Sequence, residues 1–206
     1  MNSNAQRYEL DQPAIRSGSK DELFAETLNH FRHDWMNDIQ VLYGYLKLKK
    51  YDKMHDYMET IREKLIGESC ISKLGDPALV VYLQCYRARC RSIRLDVELG
   101  PDVQLSQLSV DSGTVSDAII AVIEAFTRQG VAPADGDVNR LRLKLSVQSE
   151  FLVIGFDYDG GYRREELLHE LREAVGAGRS KLRIASGAVY DNEKAVFDIH
   201  VPLIQI

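Results

Sequence analysis

The stretch HFRHDWMNDIQ, residues 30–40, sets two histidines, the only tryptophan of the chain and a series of acid and amide side chains side by side. Its apolar members belong to a longer series, Phe24, Leu28, Phe31, Trp35, Ile39, Leu42 and Leu46, that advances in steps of three and four. That spacing predicts one stripe of a long helix from Asp21 to about Lys49. At about 100° per residue the seven stripe residues lie within roughly 40° of their mean direction, and His33 lies about 160° from it. His33 therefore points away from whatever the stripe packs on. Glu26, Asn29, His30, Asn37, Gln40 and Gly44 share that outer face, which carries no large apolar side chain. Met36 and Tyr43 flank it as apolar residues the stripe does not need, and with Lys47 they form a rim suited to a docking partner.

Reading outward, a second series, Met54, Met58, Ile61 and Leu65, repeats the helical spacing until LGDP ends it with glycine and proline. The two helices make a hairpin over residues 20–75. Residues 1–19 mix Asn, Ser, Gln, Pro and Gly without a period and read as a flexible leader. From residue 76 the texture changes. DPALVVYLQCYRARCRSI opens with a capping aspartate and a proline at the first helical position, then RLDVEL alternates as a strand. DSGTVSDAIIAVIEAFTRQG reads as a helix ending at Gly130. NRLRLKLSVQ and EFLVIGFDY alternate as strands joined at Ser149-Glu150. RREELLHELREAV is a short amphipathic helix, and KLRIASGAVY and KAVFDIHVPL are two more alternating strands. The fold class is α+β, with a helical hairpin followed by a mixed helix-and-sheet domain over 76–206.

Composition narrows the function. With 45% apolar and 28% charged residues, 206 residues suffice for one ordinary core or two small ones. A balance of 26 basic against 31 acidic residues, net −5, argues against a nucleic-acid binder held by phosphate contacts. Cys70, Cys85 and Cys90 are odd in number and lack C-x-x-C spacing, which fits a reducing compartment, the cytoplasm. The longest apolar runs, ALVVYL and AIIAVIEAF, are too short to span a membrane, and MNSNAQRYEL has no apolar signal core, so neither insertion nor export is expected.

Three roles compete for His33. It is an ordinary surface histidine, or part of a metal site with His30 and Asp34, or a nucleophile. Neighbours at i, i+3 and i+4 suit zinc or copper, but these three spread over too wide an arc to converge on one ion, and no metal is expected. The third role rests on the motif. RHDWMNDIQVLYGYLKLKKYD resembles the phosphoacceptor helix of bacterial two-component proteins that carry His-Asp-x-x-Asn followed by Gly-x-Leu and a hairpin. His33, Asp34, Asn37 and Gly44 fall at matching places. Within that group the chain is most similar to the phosphorelay histidine phosphotransferases of sporulation initiation, relatives of sensor histidine kinases. The resemblance runs from about residue 20 to the end, strong in the hairpin and weak after it. It implies a dimeric four-helix bundle followed by a degenerate, histidine-kinase-ATPase-like α/β sandwich. Chemically, a neutral imidazole offers an unprotonated nitrogen that can attack phosphorus and later leave. Asp34 and Asn37 are candidates to orient the ring or to bind phosphoryl oxygens, with Asp34 equally readable as a solvated helix charge.

The second half separates a kinase from a relay. Where a kinase would carry an asparagine-rich box to hold Mg²⁺ and phosphates, AIIAVIEAFTRQG has no asparagine. Its Asp-x-Gly-x-Gly adenine motif is replaced by FDYDGGY, in which Asp159, Gly160 and Gly161 suit a hairpin turn. Its glycine-rich lid is replaced by GAGRSKLRIASGAVY, where Gly176 and Gly178 suit helix capping. The expectation is therefore a phosphotransferase with a kinase-like domain, no ATP chemistry and no cofactor of its own. It would take a phosphoryl group from the aspartyl phosphate of one response regulator onto His33 and pass it to the aspartate of a second, with Mg²⁺ supplied by the regulator. Expected partner-binding residues are Met36, Gln40, Tyr43, Gly44 and Lys47, and the expected assembly is a homodimer. The alternatives are a sensor-type kinase with a divergent ATP site and a module that binds regulators without catalysis.

Overall fold

The computed structural model describes residues 20–101, 103–133, 137–176, 182–184, 187–191 and 193–204. The leader expected over 1–19 and Gly178 lie outside the described residues. Helix α1 (Lys20–Lys47) runs for 28 residues, about 42 Å at 1.5 Å per residue. It ends without a glycine: Lys49 takes the left-handed conformation (φ 54°), while the amides of Lys49 and Lys50 bond the carbonyls of Leu46 and Tyr45. Helix α2 (Tyr51–Ile71) returns alongside it, starting one turn earlier than the Met54 series suggests and carrying Asp52 in its first turn, where an acid favours the helix dipole.

Gly75 (φ 86°) turns the chain into helix α3 (Pro77–Arg89). The Asp76 carboxylate accepts from the amides of Ala78 and Leu79 at 2.9 and 3.1 Å, and Pro77 fills the first turn, as the motif predicts. Strand β1 (Ile93–Leu99) follows, then a 3-10 turn (Leu105–Gln107), helix α4 (Ser112–Gln129) capped by Asp111, strands β2 (Asn139–Gln148) and β3 (Phe151–Asp159), helix α5 (Arg164–Gly176), and strands β4 (Arg183–Ile184), β5 (Val189–Tyr190) and β6 (Lys194–Pro202). The sheet order is β1-β2-β3-β6-β4, with β5 also on β6. Only β1 and β2 run parallel. Gln148 faces Phe151 across β2 and β3, leaving Ser149 and Glu150 as the turn, with Ser149 at φ 53°.

Two expectations are corrected. KLRIASGAVY is not one strand but two short ones: Arg183 faces His200 and Val189 faces Val196, six steps along one chain against four along β6. Gly187, between the two, is at φ 116°. Nor is Asp159-Gly160-Gly161 a hairpin turn, since it ends β3 and leads through Tyr162 into α5. Gly160 sits at φ 144°, where a Cβ would collide with the Asn139 carboxamide, so its glycine answers to backbone geometry.

The core lies between the inner sheet face and α3, α4 and α5. Leu141, Leu143, Leu145, Ile154, Phe156 and Ile199 pack from the sheet against Val115, Ile119, Val122 and Ile123 of α4, all nearly or fully buried. Phe126 stacks on Tyr158 (centroids 4.7 Å apart), Phe197 on Phe156 (5.1 Å), and Tyr190 tilts against Phe197 (5.9 Å). Burial pushes the Tyr158 phenol well above its ordinary value, and its hydroxyl donates to the Gly161 carbonyl at 3.1 Å. The opposite sheet face is wetter, its Arg and Asp side chains tied by half-buried pairs such as Arg142–Asp157 (3.2 Å). No helix among the described residues is long and apolar enough to cross a membrane.

Helix α5 is fastened to α4 through Glu170, whose carboxylate accepts from Arg128 (2.6 Å) and Gln129 (2.6 Å). Burial acts to raise the Glu170 carboxyl, but the bonds from Arg128 and Gln129 outweigh it and hold the group below its usual value. A lowered folded-state pKa contributes stability above the unfolded value that is lost as pH falls through the folded one. Glu170→Gln should therefore lower the urea midpoint most at neutral pH and by less at about pH 3, below the ordinary glutamate range, where the contribution is being lost. An equal loss at both pH values would show that shape, not charge, fastens α5.

Candidate functional site

The hairpin leaves most of the α1 stripe uncovered in the single chain. Trp35 is 58% and Ile39 59% exposed, and Phe24, Leu28 and Leu46 are exposed as well. Helix α2 packs on a flank of the stripe instead of its centre. Phe31, Trp35, Ile39 and Leu42 line one wall of an apolar groove, and Ile61 and Leu65 of α2 line the other. Thr27, a buried residue of α1, faces the second half of the chain and donates to Cys85 Sγ of α3 at 3.2 Å.

On the opposite side stands His33, whose side chain is 75% exposed. Both polar contacts of its ring fall on Nδ1. The Asn37 carboxamide nitrogen lies 3.2 Å away, one turn along, and an Asp34 carboxylate oxygen lies 3.9 Å away. Asn37 is exposed beside His33, as the helical arithmetic places it. Asp34 is not a solvated charge on the outer face. It is 28% exposed and turned toward α2, within 3.7 Å of Lys64 Nζ and 3.7 Å of His30 Nδ1. One turn on, Asp38 accepts from the Tyr57 hydroxyl at 2.8 Å and lies 4.0 Å from Lys64. The bond to Asp38, with burial behind it, raises the Tyr57 phenol above its ordinary value. His30 is thus set aside from His33, on the wall of a cleft of about 490 Å³ between the hairpin and β1.

The remaining expected residues spread along the same outer face. Gln40 and Gly44 lie in line with His33. A Cβ added at Gly44 meets nothing within 4 Å, so nothing inside the chain repays the helix propensity, about 1 kcal/mol, that glycine forgoes there. At the rim Met36 and Tyr43 are exposed, and Lys47 Nζ stands 4.6 Å above the Tyr43 ring. Sequence reasoning missed Asp38, Tyr57 and Lys64. The i, i+4 pair Asp34 and Asp38, rotated off the stripe toward one side, was the available signal.

The arrangement suits nucleophilic chemistry. An amide nitrogen donates only, so with Asn37 as placed Nδ1 accepts and the ring proton sits on Nε2. The Asp34 charge acts the other way, favouring a proton on Nδ1. Turning the carboxamide over, a change invisible to its shape, lets Asn37 accept from that proton. In that state the Nε2 lone pair faces open solvent. Among the described residues no group of three or more His, Cys, Asp or Glu side chains is placed to hold a metal ion.

Residues 20–74 match the family model described as Sensor_kinase_SpoOB-type, alpha-helical domain. The chain is 23% identical over 146 residues to sporulation initiation phosphotransferase B of Bacillus subtilis (strain 168), a match covering 71% of this chain and 74% of that protein. Among solved structures it is similar to the Acinetobacter baumannii histidine kinase AdeS, with TM-score 0.46, 16% identity, and 84% of this chain and 98% of that one covered. It is also similar to a histidine kinase from Burkholderia phymatum STM815, with TM-score 0.43, 12% identity, and 90% and 96% covered.

Proposed function

We propose that this protein is a phosphorelay phosphotransferase that carries a phosphoryl group on His33 between two response regulators, in the control of sporulation initiation. The observation that carries the reading is the division of α1 into an unfilled apolar stripe and, on the opposite side, an exposed histidine with both ring contacts on Nδ1. The match of residues 20–74 to the helical family model and the similarity to a sporulation phosphotransferase support it.

The chemistry balances without an outside reactant. The Nε2 lone pair attacks the phosphorus of the donor's aspartyl phosphate, an N–P bond forms, and the P–O bond to the donor carboxylate breaks with its electrons left on that carboxylate. The ring keeps its Nδ1 proton and becomes a phosphoimidazolium, whose positive charge faces Asp34. In the second step a carboxylate oxygen of the acceptor attacks the same phosphorus, and the N–P electrons return to a neutral imidazole. A unit charge about 4 Å away is worth about 1 kcal/mol in water and about 4 at a half-sheltered surface site. With the His33 side chain 75% exposed the lower figure governs, and Asp34 can thus shift the transfer about fivefold or somewhat more. Asn37 holds the ring by its Nδ1 edge, so Nε2 stays aimed at the partner. Mg²⁺ belongs to the regulator's acidic pocket in this reading, and the chain needs no cofactor of its own.

The regulator would dock along Gln40 and Gly44, with Met36, Tyr43 and Lys47 at the rim. The smooth surface at Gly44 lets a partner helix approach, which supplies the reason for glycine that the chain itself lacks. The apolar groove is filled by a second copy. Two hairpins paired as a four-helix bundle bury the stripes around Trp35, Ile39, Leu42, Met58 and Ile61, which one hairpin cannot do alone. In this reading the sandwich serves as a support without nucleotide, and Glu124 of α4, in the helix where a kinase would carry its asparagine-rich box, is engaged by Tyr82 (2.8 Å) and Arg89 (3.7 Å). Three unpaired cysteines agree with a cytoplasmic setting.

Mixing with a labelled, phosphorylated single-domain response regulator tests the relay. Wild-type protein should take up label; His33→Gln should abolish uptake, His30→Gln should retain most of it, and Gly44→Leu should slow it with the assembly intact. Retained transfer in His33→Gln removes the reading, and binding without uptake leaves the non-catalytic module. Light scattering at micromolar concentration should give a dimer, and a Trp35→Asp, Ile39→Asp variant a folded monomer. Calorimetric titration with Mg²⁺ and ATP should show no binding at about millimolar nucleotide, whereas ATP-dependent labelling of His33 would identify a kinase.

A further inference from the structure

We propose that Lys64 of α2 is a positioning residue for the transfer, holding the Asp34 carboxylate against the acceptor ring. The proposal rests on the phosphotransferase reading above and adds to it a residue from the other helix. Lys64 Nζ stands between two carboxylates one helical turn apart, 3.7 Å from Asp34 and 4.0 Å from Asp38. Asp38 is itself held, since the Tyr57 hydroxyl donates to its other oxygen at 2.8 Å. The ammonium is thereby fixed in place by α2 and by a clamped neighbour, and it draws one Asp34 oxygen toward α2. The other Asp34 oxygen is left 3.9 Å from His33 Nδ1.

The alternative placements of Asp34 show what the lysine does. An exposed aspartate on a helix face has more than one staggered rotamer open to it. Without Lys64, Asp34 is repelled by Asp38 at i+4 and has His30, 3.7 Å away, as a competing partner. Either move takes the charge away from His33. A single surface ion pair contributes little to stability, so Lys64 is poorly explained as a brace for the hairpin. Its third-exposed side chain bridges two acids on the helix that carries His33, and that placement matches a role in orientation.

The consequence is that Lys64 and Asp34 act as one unit. Transfer from a labelled, phosphorylated single-domain response regulator should slow about fivefold in Lys64→Met and at least as much in Asp34→Asn. The double variant should be no slower than Asp34→Asn alone, because each change breaks the same chain of contacts. Lys64→Arg, which keeps the charge, should recover most of the rate. Lys64→Gln serves where the methionine variant misfolds. Additive losses, an unchanged rate or a faster rate in Lys64→Met would each overturn the proposal. A regulator-free readout separates its failure from failure of the relay: ¹⁵N imidazole shifts should report a proton mainly on Nδ1 of His33 in the wild type and a shift toward the Nε2–H form in Lys64→Met. A tautomer balance that does not respond to Lys64 overturns the positioning role, whether or not phosphoryl transfer occurs.

Discussion

The feature on which the rest of the structure depends is an apolar stripe that the chain does not cover by itself. Phe24, Leu28, Trp35, Ile39 and Leu46 stay exposed because α2 packs to one side of them. Open apolar surface on that scale marks a place where something closes over it. The direction of the stripe also fixes every other face of α1. The side opposite is the one place a side chain escapes burial in any assembly built on the stripe, and His33, Asn37, Gln40 and Gly44 occupy it.

Between those two faces lies a narrow band where the helices exchange charge. Thr27, Asp34, Asp38 and Tyr45 sit about 100° to 140° around α1 from His33, and these are the positions that meet α2 and α3. Tyr57 engages Asp38, Tyr45 meets the Tyr57 ring edge-on at 6.2 Å, and Lys64 faces Asp34 and Asp38. The Tyr57 bond to Asp38 sets the rotation of one helix against the other more specifically than the apolar contacts, because a hydroxyl has few acceptable positions. Rotation of α1 is what decides where His33 points.

Much of this was legible in the sequence where the cause is local. The stripe of α1, the cap at Asp76 with Pro77, the stop at Gly130 and the two-residue turn at Ser149 follow from periodicity and from backbone geometry that neighbouring residues dictate. The facing of His33 was legible for the same reason. Asp34 was not, because a stripe gives the direction of its own centre, and α2 does not sit over that centre. Where the partner helix lies depends on what else must cover the stripe. The break between β4 and β5 was illegible too: KLRIASGAVY alternates as a strand should, and only its unequal pairing with β6 around Gly187 divides it.

The sandwich then acquires a mechanical sense that its sequence, lacking recognisable nucleotide motifs, does not suggest. Helix α1 is fastened near its start through Thr27 and Cys85, and the far end of α2 runs directly into the capped α3. The His33 turn lies on the stretch of α1 just beyond that anchorage, between the sandwich and the hairpin loop. The anchorage at Thr27 on one side and the links of Asp38 and Tyr45 to Tyr57 of α2 on the other hold that stretch between them. In the proposed relay, where the work is alignment of a ring with a partner's phosphorus, that is the part of the helix where alignment matters most. A fold that holds α1 against α2 and α3 at that point has a use in such a relay independently of any nucleotide.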